Sequence, residues 1–94
     1  MKVLGRDKLI KFSKKHTNAK TALDAWFDEA DRANWKTGHD IKTRYSSADF
    51  LADNRVIFNV KGNHYRLVVK VRFQAGVVVI EWVGTHAEYD KKSF

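Results

Sequence analysis

His64-Tyr65-Arg66-Leu67-Val68-Val69-Lys70-Val71-Arg72-Phe73 is the stretch that decides how this chain folds. It is rich in β-branched and aromatic residues, and successive side chains of a strand point to opposite faces. Tyr65, Leu67, Val69, Val71 and Phe73 then share one face, while His64, Arg66, Val68, Lys70 and Arg72 share the other. Any half-buried strand turns polar residues outward, but a merely soluble one usually mixes charge signs to limit repulsion across the sheet. Here four of the five outward positions can carry positive charge and none a negative one. The strand therefore offers a dry face to helices and a cationic face to an anion.

Outward from this strand, Lys61-Gly62-Asn63 reads as a turn and Arg55 to Val60 as the strand before it, a hairpin. On the other side Gln74-Ala75-Gly76 leads into Val77 to Val83, which makes three antiparallel strands in a row. The upstream half has helical periodicity. From Arg6 to about His16, Leu9, Ile10 and Phe12 sit among Lys8, Lys11, Lys14 and Lys15, a short amphipathic helix with a basic flank and Asp7 at its start. A second helix is predicted over Asn18 to Ala33, where Ala19, Ala22, Leu23, Trp26, Phe27 and Ala30 recur at helical spacing. Asn18 is placed as its N-cap, and Asp24, Asp28, Glu29 and Asp31 occupy the opposite side. Between Asn34 and Asn54 the pattern supports one helical turn around Asp40 to Tyr45, with Ser46 to Asp49 as loop. Met1 to Leu4 can add an edge strand. The fold expected is α+β, a two-layer sandwich with N-terminal helices on an antiparallel sheet of three to four strands. Trp26, Phe27, Trp35 and Trp82 are assigned to its core.

The 94 residues, with no proline, repeat or low-complexity tract, read as a single domain over 1–94. No cysteine is present, so neither a disulfide framework nor a thiolate metal site can form, which fits a reducing cytoplasm. No signal-peptide core or membrane-length apolar run is found, and no membrane partner is expected. Lys plus Arg total 18 against 11 Asp plus Glu, a net charge of +7. On so small a body that charge favours a polyanion, with nucleic acid first and an acidic protein second. A basic surface serving solubility alone is the plain alternative.

Gly84-Thr85-His86-Ala87-Glu88-Tyr89-Asp90-Lys91-Lys92 follows the last predicted strand, as a mobile polar segment able to lie across a sheet edge. Cleaving RNA without a metal requires a base for the 2′-hydroxyl proton, cations for the developing phosphorane charge and an acid for the leaving 5′-oxygen. Imidazole titrates near neutrality, so His86 can take either proton role. Glu88 is a second base candidate, Tyr89 an acid or stacking platform, and Arg66 and Lys70 the cations. Metal binding by His86 and Glu88 with His64, His39 or Asp90 is the rival use of these side chains. No His pair has metalloprotease spacing, no glycine-rich phosphate loop precedes a helix, and no nucleophile elbow is present. No metal or other cofactor is therefore expected.

Three segments taken together, Asp53-Asn54-Arg55-Val56-Ile57-Phe58-Asn59-Val60-Lys61-Gly62-Asn63, Tyr65-Arg66-Leu67 and Gly84-Thr85-His86-Ala87-Glu88-Tyr89-Asp90-Lys91, resemble the HigB toxin family. These are RelE-like messenger RNA interferases of bacterial type II toxin-antitoxin systems. The likeness extends through Ala25-Trp26, Ala33-Asn34-Trp35 and Tyr45-Ser46-Ser47-Ala48-Asp49, and so covers nearly the whole chain. It implies a toxin that enters the ribosome and cleaves translated message without a metal. It implies as partner a HigA-like antitoxin carrying a helix-turn-helix domain, with operator DNA met only through the antitoxin complex. Asn59, Gly62, Asn63, Arg66, His86, Glu88, Tyr89 and Asp90 match the family's pattern. His64 and Lys61 fall outside it, and Asn59 and Asn63 have a structural explanation as turn residues.

The reading is thus a ribosome-associated endoribonuclease in which the 2′-hydroxyl attacks the adjacent phosphate. Arg66, His86, Glu88 and Tyr89 form the catalytic set: Arg66 with Lys70 holds the phosphate, Glu88 or His86 is the base and His86 or Tyr89 the acid. Arg55, Lys70, Arg72 and Lys91 are the RNA-binding cations. The alternatives are a non-catalytic RNA- or ribosome-binding module, and a ParE-like toxin acting on gyrase.

Overall fold

The decisive stretch forms a central strand, flanked on both sides by partners in an antiparallel ladder. In order along the chain the elements are β1 (Lys2–Leu4), α1 (Arg6–Lys15), a 3-10 turn (Thr17–Ala19), α2 (Lys20–Arg32), α3 (Gly38–Arg44), β2 (Asp49–Leu51), β3 (Arg55–Val60), β4 (Tyr65–Arg72), β5 (Val77–Thr85) and α4 (His86–Asp90). The computed structural model describes residues 1–92; Ser93 and Phe94, inside the span expected as one domain, lie outside the described residues. The α+β class holds, with five strands in the order β1-β5-β4-β3-β2. The two strands beyond the meander are both three residues long: β2 starts at Asp49, where the expected loop ends, in a stretch given no element, and β1 is the expected edge strand but joins β5 in parallel, so the sheet is not wholly antiparallel.

One sheet face is covered by helices. Leu9 of α1, Leu23, Trp26 and Ala30 of α2, and Trp35 and Ile41 pack with Val56, Phe58, Leu67, Val69, Val71, Val78 and Ile80 in a single buried cluster. Phe58 is its aromatic hub, with Trp26, Trp35 and Tyr45 around it at ring-centroid distances of 5.4, 6.3 and 5.0 Å. The alternation in β4 thus falls as the sequence predicts on this side. Phe27 is only partly buried and stacks under the Arg6 guanidinium, 4.1 Å from its centroid.

Asn18 does not cap α2. The helix starts at Lys20 behind Ala19, with no side-chain cap, because the 3-10 turn takes up the residues before it. The Asn18 side-chain oxygen instead accepts a hydrogen bond from the Tyr65 hydroxyl, tying the helical layer to β4. The segment read as one helical turn is α3, started by a reciprocal capping box: Asp40 N–H donates to Thr37 Oγ1, and the Asp40 carboxylate accepts from the Thr37 N–H.

The opposite face is less open than its charges suggest. Val68 and Ile57, paired across β3 and β4, are 0% and 2% exposed although they belong to the face expected to be cationic. On β5 Val68 is paired with Trp82. A bulge between Val68 and Val69 leaves Glu81 without a register partner, between Ile80 and Trp82. Trp82 lies outside the core cluster and is only half-buried, which corrects its core assignment.

Candidate functional site

α4 makes the site. Thr85 ends β5 and is also the N-cap: its Oγ1 accepts from Glu88 N–H at 3.1 Å, and Glu88 Oε1 accepts from Thr85 N–H at 2.8 Å. The His86 amide also donates to the His64 carbonyl at 3.1 Å, which pins the helix to the start of β4. The segment expected to be mobile and polar is therefore a capped helix of fixed position, because four backbone donors at a helix start demand such partners.

Arg66 stands on β4 opposite Gly84. Its Nη2 lies 2.7 Å from His86 Nε2, and its Cζ sits 4.8 Å from the centroid of the Tyr89 ring. A guanidinium only donates, so His86 Nε2 must be the acceptor and the ring proton sits on Nδ1. That nitrogen faces Asp90 Oδ2 at 3.4 Å, one helical turn on. Carboxylate, imidazole and guanidinium thus stand in line, with the imidazole lone pair aimed at the cation. Arg66 Nε is buried and has no hydrogen-bond partner among the described residues, which leaves one donor of the guanidinium unused there. The chemistry available is capture of a phosphate by Arg66 next to a proton acceptor held in one tautomer.

The sequence-predicted residues divide. Arg66, His86 and Tyr89 converge. Glu88 is adjacent, but its carboxylate faces its own helix start: the Thr85 backbone amide holds it below the usual carboxylate range, with smaller help from the Thr85 hydroxyl, His16 and Lys15. Lys91 is exposed at the end of α4. Arg55 is engaged with Glu81, Nε to Oε1 at 2.7 Å, an ion pair that holds the guanidinium in its charged form. Lys70, paired with Arg55 in register, is half-buried. Arg72 is exposed six residues beyond Arg66, about 20 Å along the strand. Asn59 pairs with Arg66 across the strands and donates to the Ser47 carbonyl at 3.2 Å, so its task is structural but ties β3 to the loop before β2 and does not shape the hairpin turn in the way the sequence suggested.

Sequence reasoning missed the orienting place of Asp90, though its four-residue spacing from His86 on a helix is the signal for it. It also missed Trp82, whose ring centroid is 6.1 Å from that of Tyr89 and 5.8 Å from the Lys92 ammonium. Among the described residues no group of three His, Cys, Asp or Glu side chains is placed to hold a metal, and no helix is long and apolar enough to cross a membrane.

Comparison with known proteins identifies the family. Residues 19–92 match the HigB_toxin family, described as the RelE-like toxic component of a toxin-antitoxin system. The mRNA interferase toxin HigB of Escherichia coli (strain K12) is 32% identical over 80 residues, which cover 83% of this chain and 77% of that protein. The mRNA interferases HigB of Escherichia coli O157:H7 and Shigella flexneri match to the same extent. The family match takes in β2 to β5, α4 and every residue of the Arg66–His86–Asp90 line, and by it this chain belongs to the HigB toxin family.

Proposed function

We propose that this protein is the toxin of a toxin-antitoxin pair and cleaves messenger RNA on the ribosome, in the cytoplasm, as a single domain without a metal. The observation that carries the reading is the 2.7 Å contact between Arg66 and His86 Nε2, backed by Asp90. An RNA phosphate entering the site takes over the guanidinium, which releases the Nε2 lone pair beside the 2′-hydroxyl. His86 accepts that proton, the 2′-oxygen attacks phosphorus in line, and Asp90 stabilises the imidazolium from the Nδ1 side. Arg66 holds the phosphorane charge, and the Tyr89 hydroxyl protonates the departing 5′-oxygen. The products are a 2′,3′-cyclic phosphate and a 5′-hydroxyl, and His86 returns its proton to Tyr89 through solvent.

Glu88 is in this scheme a positioning residue, which fixes α4 and so the angle of His86. Lys91 and Lys70 hold the backbone near the cut. Arg72 meets RNA or ribosome well away from it, and Arg55 contributes only as far as its pairing with Glu81 allows. The family implies an antitoxin partner; we assign a HigA-like protein with a helix-turn-helix domain, through which the complex reaches operator DNA.

Brief induction in growing bacteria, followed by mapping of new RNA 5′ ends, tests this. New 5′-hydroxyl ends inside translated messages, lost in both His86→Ala and Arg66→Ala, are expected. Growth arrest with intact messages would refute the reading, and DNA damage in their place would indicate a gyrase-directed toxin.

A further inference from the structure

β1 covers only Val77 to Val79 of β5, so the outer edge of β5 beyond that point faces α1 instead of a strand. Between them runs a groove of about 410 Å³, lined by Lys8, Lys11, Phe12 and Lys15 of α1 and by Glu81, Trp82 and Val83 of β5. Its floor is apolar and aromatic. The three lysines recur at three- and four-residue spacing, so they form one rim of a helix about 10 Å long between first and last. All three are exposed. The one carboxylate present, Glu81, is neutralised by Arg55 on the sheet side.

Two observations make the groove continuous with the site already described. Trp82 lines it and also lies 6.1 Å from Tyr89, which carries Arg66 over its ring. Lys15, at its far end, is close enough to Glu88 of α4 to lower that carboxyl electrostatically. A polyanion bound at Arg66 therefore finds, past the Trp82 ring, a lysine rim whose own groove lining holds one carboxylate, Glu81, already paired with Arg55. Aromatic floors with lysine rims suit single-stranded nucleic acid, because any base can stack and any phosphate can pair.

We infer that the α1–β5 groove binds the single-stranded RNA flanking the cleaved phosphate, with a base on Trp82 and three phosphates along Lys8, Lys11 and Lys15. This rests on the RNA reading of the Arg66–His86 site, and deepens it by giving the substrate a second, sequence-independent contact. It also explains why the basic flank of α1, distant in sequence from the catalytic residues, faces the strand that ends in them.

The test uses the full chain carrying His86→Ala, so that bound RNA stays intact, and a short fluorescent single-stranded RNA titrated at several salt concentrations. Its affinity is compared with that of the same protein bearing Lys8→Ala, Lys11→Ala and Lys15→Ala, and of a third bearing arginine at these positions. Losing three phosphate contacts should flatten the log–log salt slope by about 2, so that between about 50 and 200 mM salt the parent loses about 20-fold more affinity than the alanine variant. The arginine variant should keep the parent's slope. Equal slopes for parent and alanine variant, or no RNA binding by the parent, would overturn the inference. So would an alanine variant with unchanged slope that the antitoxin no longer neutralises, since the groove would then be the antitoxin's. Message cleavage by the unmutated chain reads the proposed function independently: flattened slopes with uncut messages would sink that reading and leave the groove.

Discussion

Gly84→Ala should destabilise the protein, and removing Trp82 should reverse the sign of that effect. Gly84 is buried in β5 with no positive φ, so its backbone accepts an L side chain and alanine would by itself gain about 0.5–1 kcal/mol there. Space forbids it, because a Cβ would fall within the Trp82 ring and 3.1 Å from Glu88 Oε1. Overpacking of this kind costs about 1–3 kcal/mol, and the colliding atoms belong to the far edge of a half-buried ring, which favours the lower half of that range. The net loss is about 1 kcal/mol, or about 4–8 °C in Tm for a chain of this size. In a Trp82→Ala background the ring is gone and only the end of the Glu88 side chain has to give, so Gly84→Ala should stabilise by up to about 0.5 kcal/mol. Thermal melts of the four proteins give the coupling directly, about 1.5 kcal/mol. A Gly84→Ala change of the same sign and size in both backgrounds would refute the packing argument.

Four further outcomes follow from contacts already described. Thr85→Ala removes the α4 cap and should cost about 1 kcal/mol by denaturant titration. Because Glu88 has its carboxyl lowered in the folded state, its contribution is fully present above the ordinary carboxylate pKa and is lost as pH falls through the lowered value; Glu88→Gln should therefore show a shallower loss of Tm on acidification than the parent, and identical profiles would contradict the capping role. Tyr65→Phe deletes the hydrogen bond to Asn18 and should cost about 1 kcal/mol in a chemical melt. A double-mutant cycle on Arg55 and Glu81, both somewhat under a third exposed at the side chain, should give a coupling below about 1 kcal/mol that shrinks with added salt.

Where a segment was long enough to show its period, the sequence was a sound guide. β3 to β5 and the two long helices stand within a residue or two of where alternation and helical spacing put them. What escaped was either too short or carried in another signal. β2 has three residues and no alternation to detect. α4 was announced by Thr85-His86-Ala87-Glu88, a capping-box pattern, and α3 by Thr37 with Asp40 three residues on, a carboxylate version of the same device. Val68 was misjudged because alternation assigns faces, and burial of a face depends on what covers it. Trp82 was misjudged for a related reason: the bulge at Glu81 shifts the phase of β5, and no local residue pattern marks where a ladder slips. In the site, the residue types and their neighbourhood were readable, while the division of labour between His86 and Glu88 depended on which one the helix start claimed.

The parallel pairing of β1 with β5 sets an order of assembly. Lys2, Val3 and Leu4 find their partners only in Val77, Val78 and Val79, so the first strand made waits for the last. Closing that contact spans most of the chain, and such non-local pairing is slow compared with helix or hairpin formation. Arg66 likewise meets His86 only after β5 has docked and α4 has been capped. A nascent chain therefore holds Arg66 and His86 apart until both the last strand and the helix that follows it have been made and docked, so the contact between them is among the last features of the fold to form.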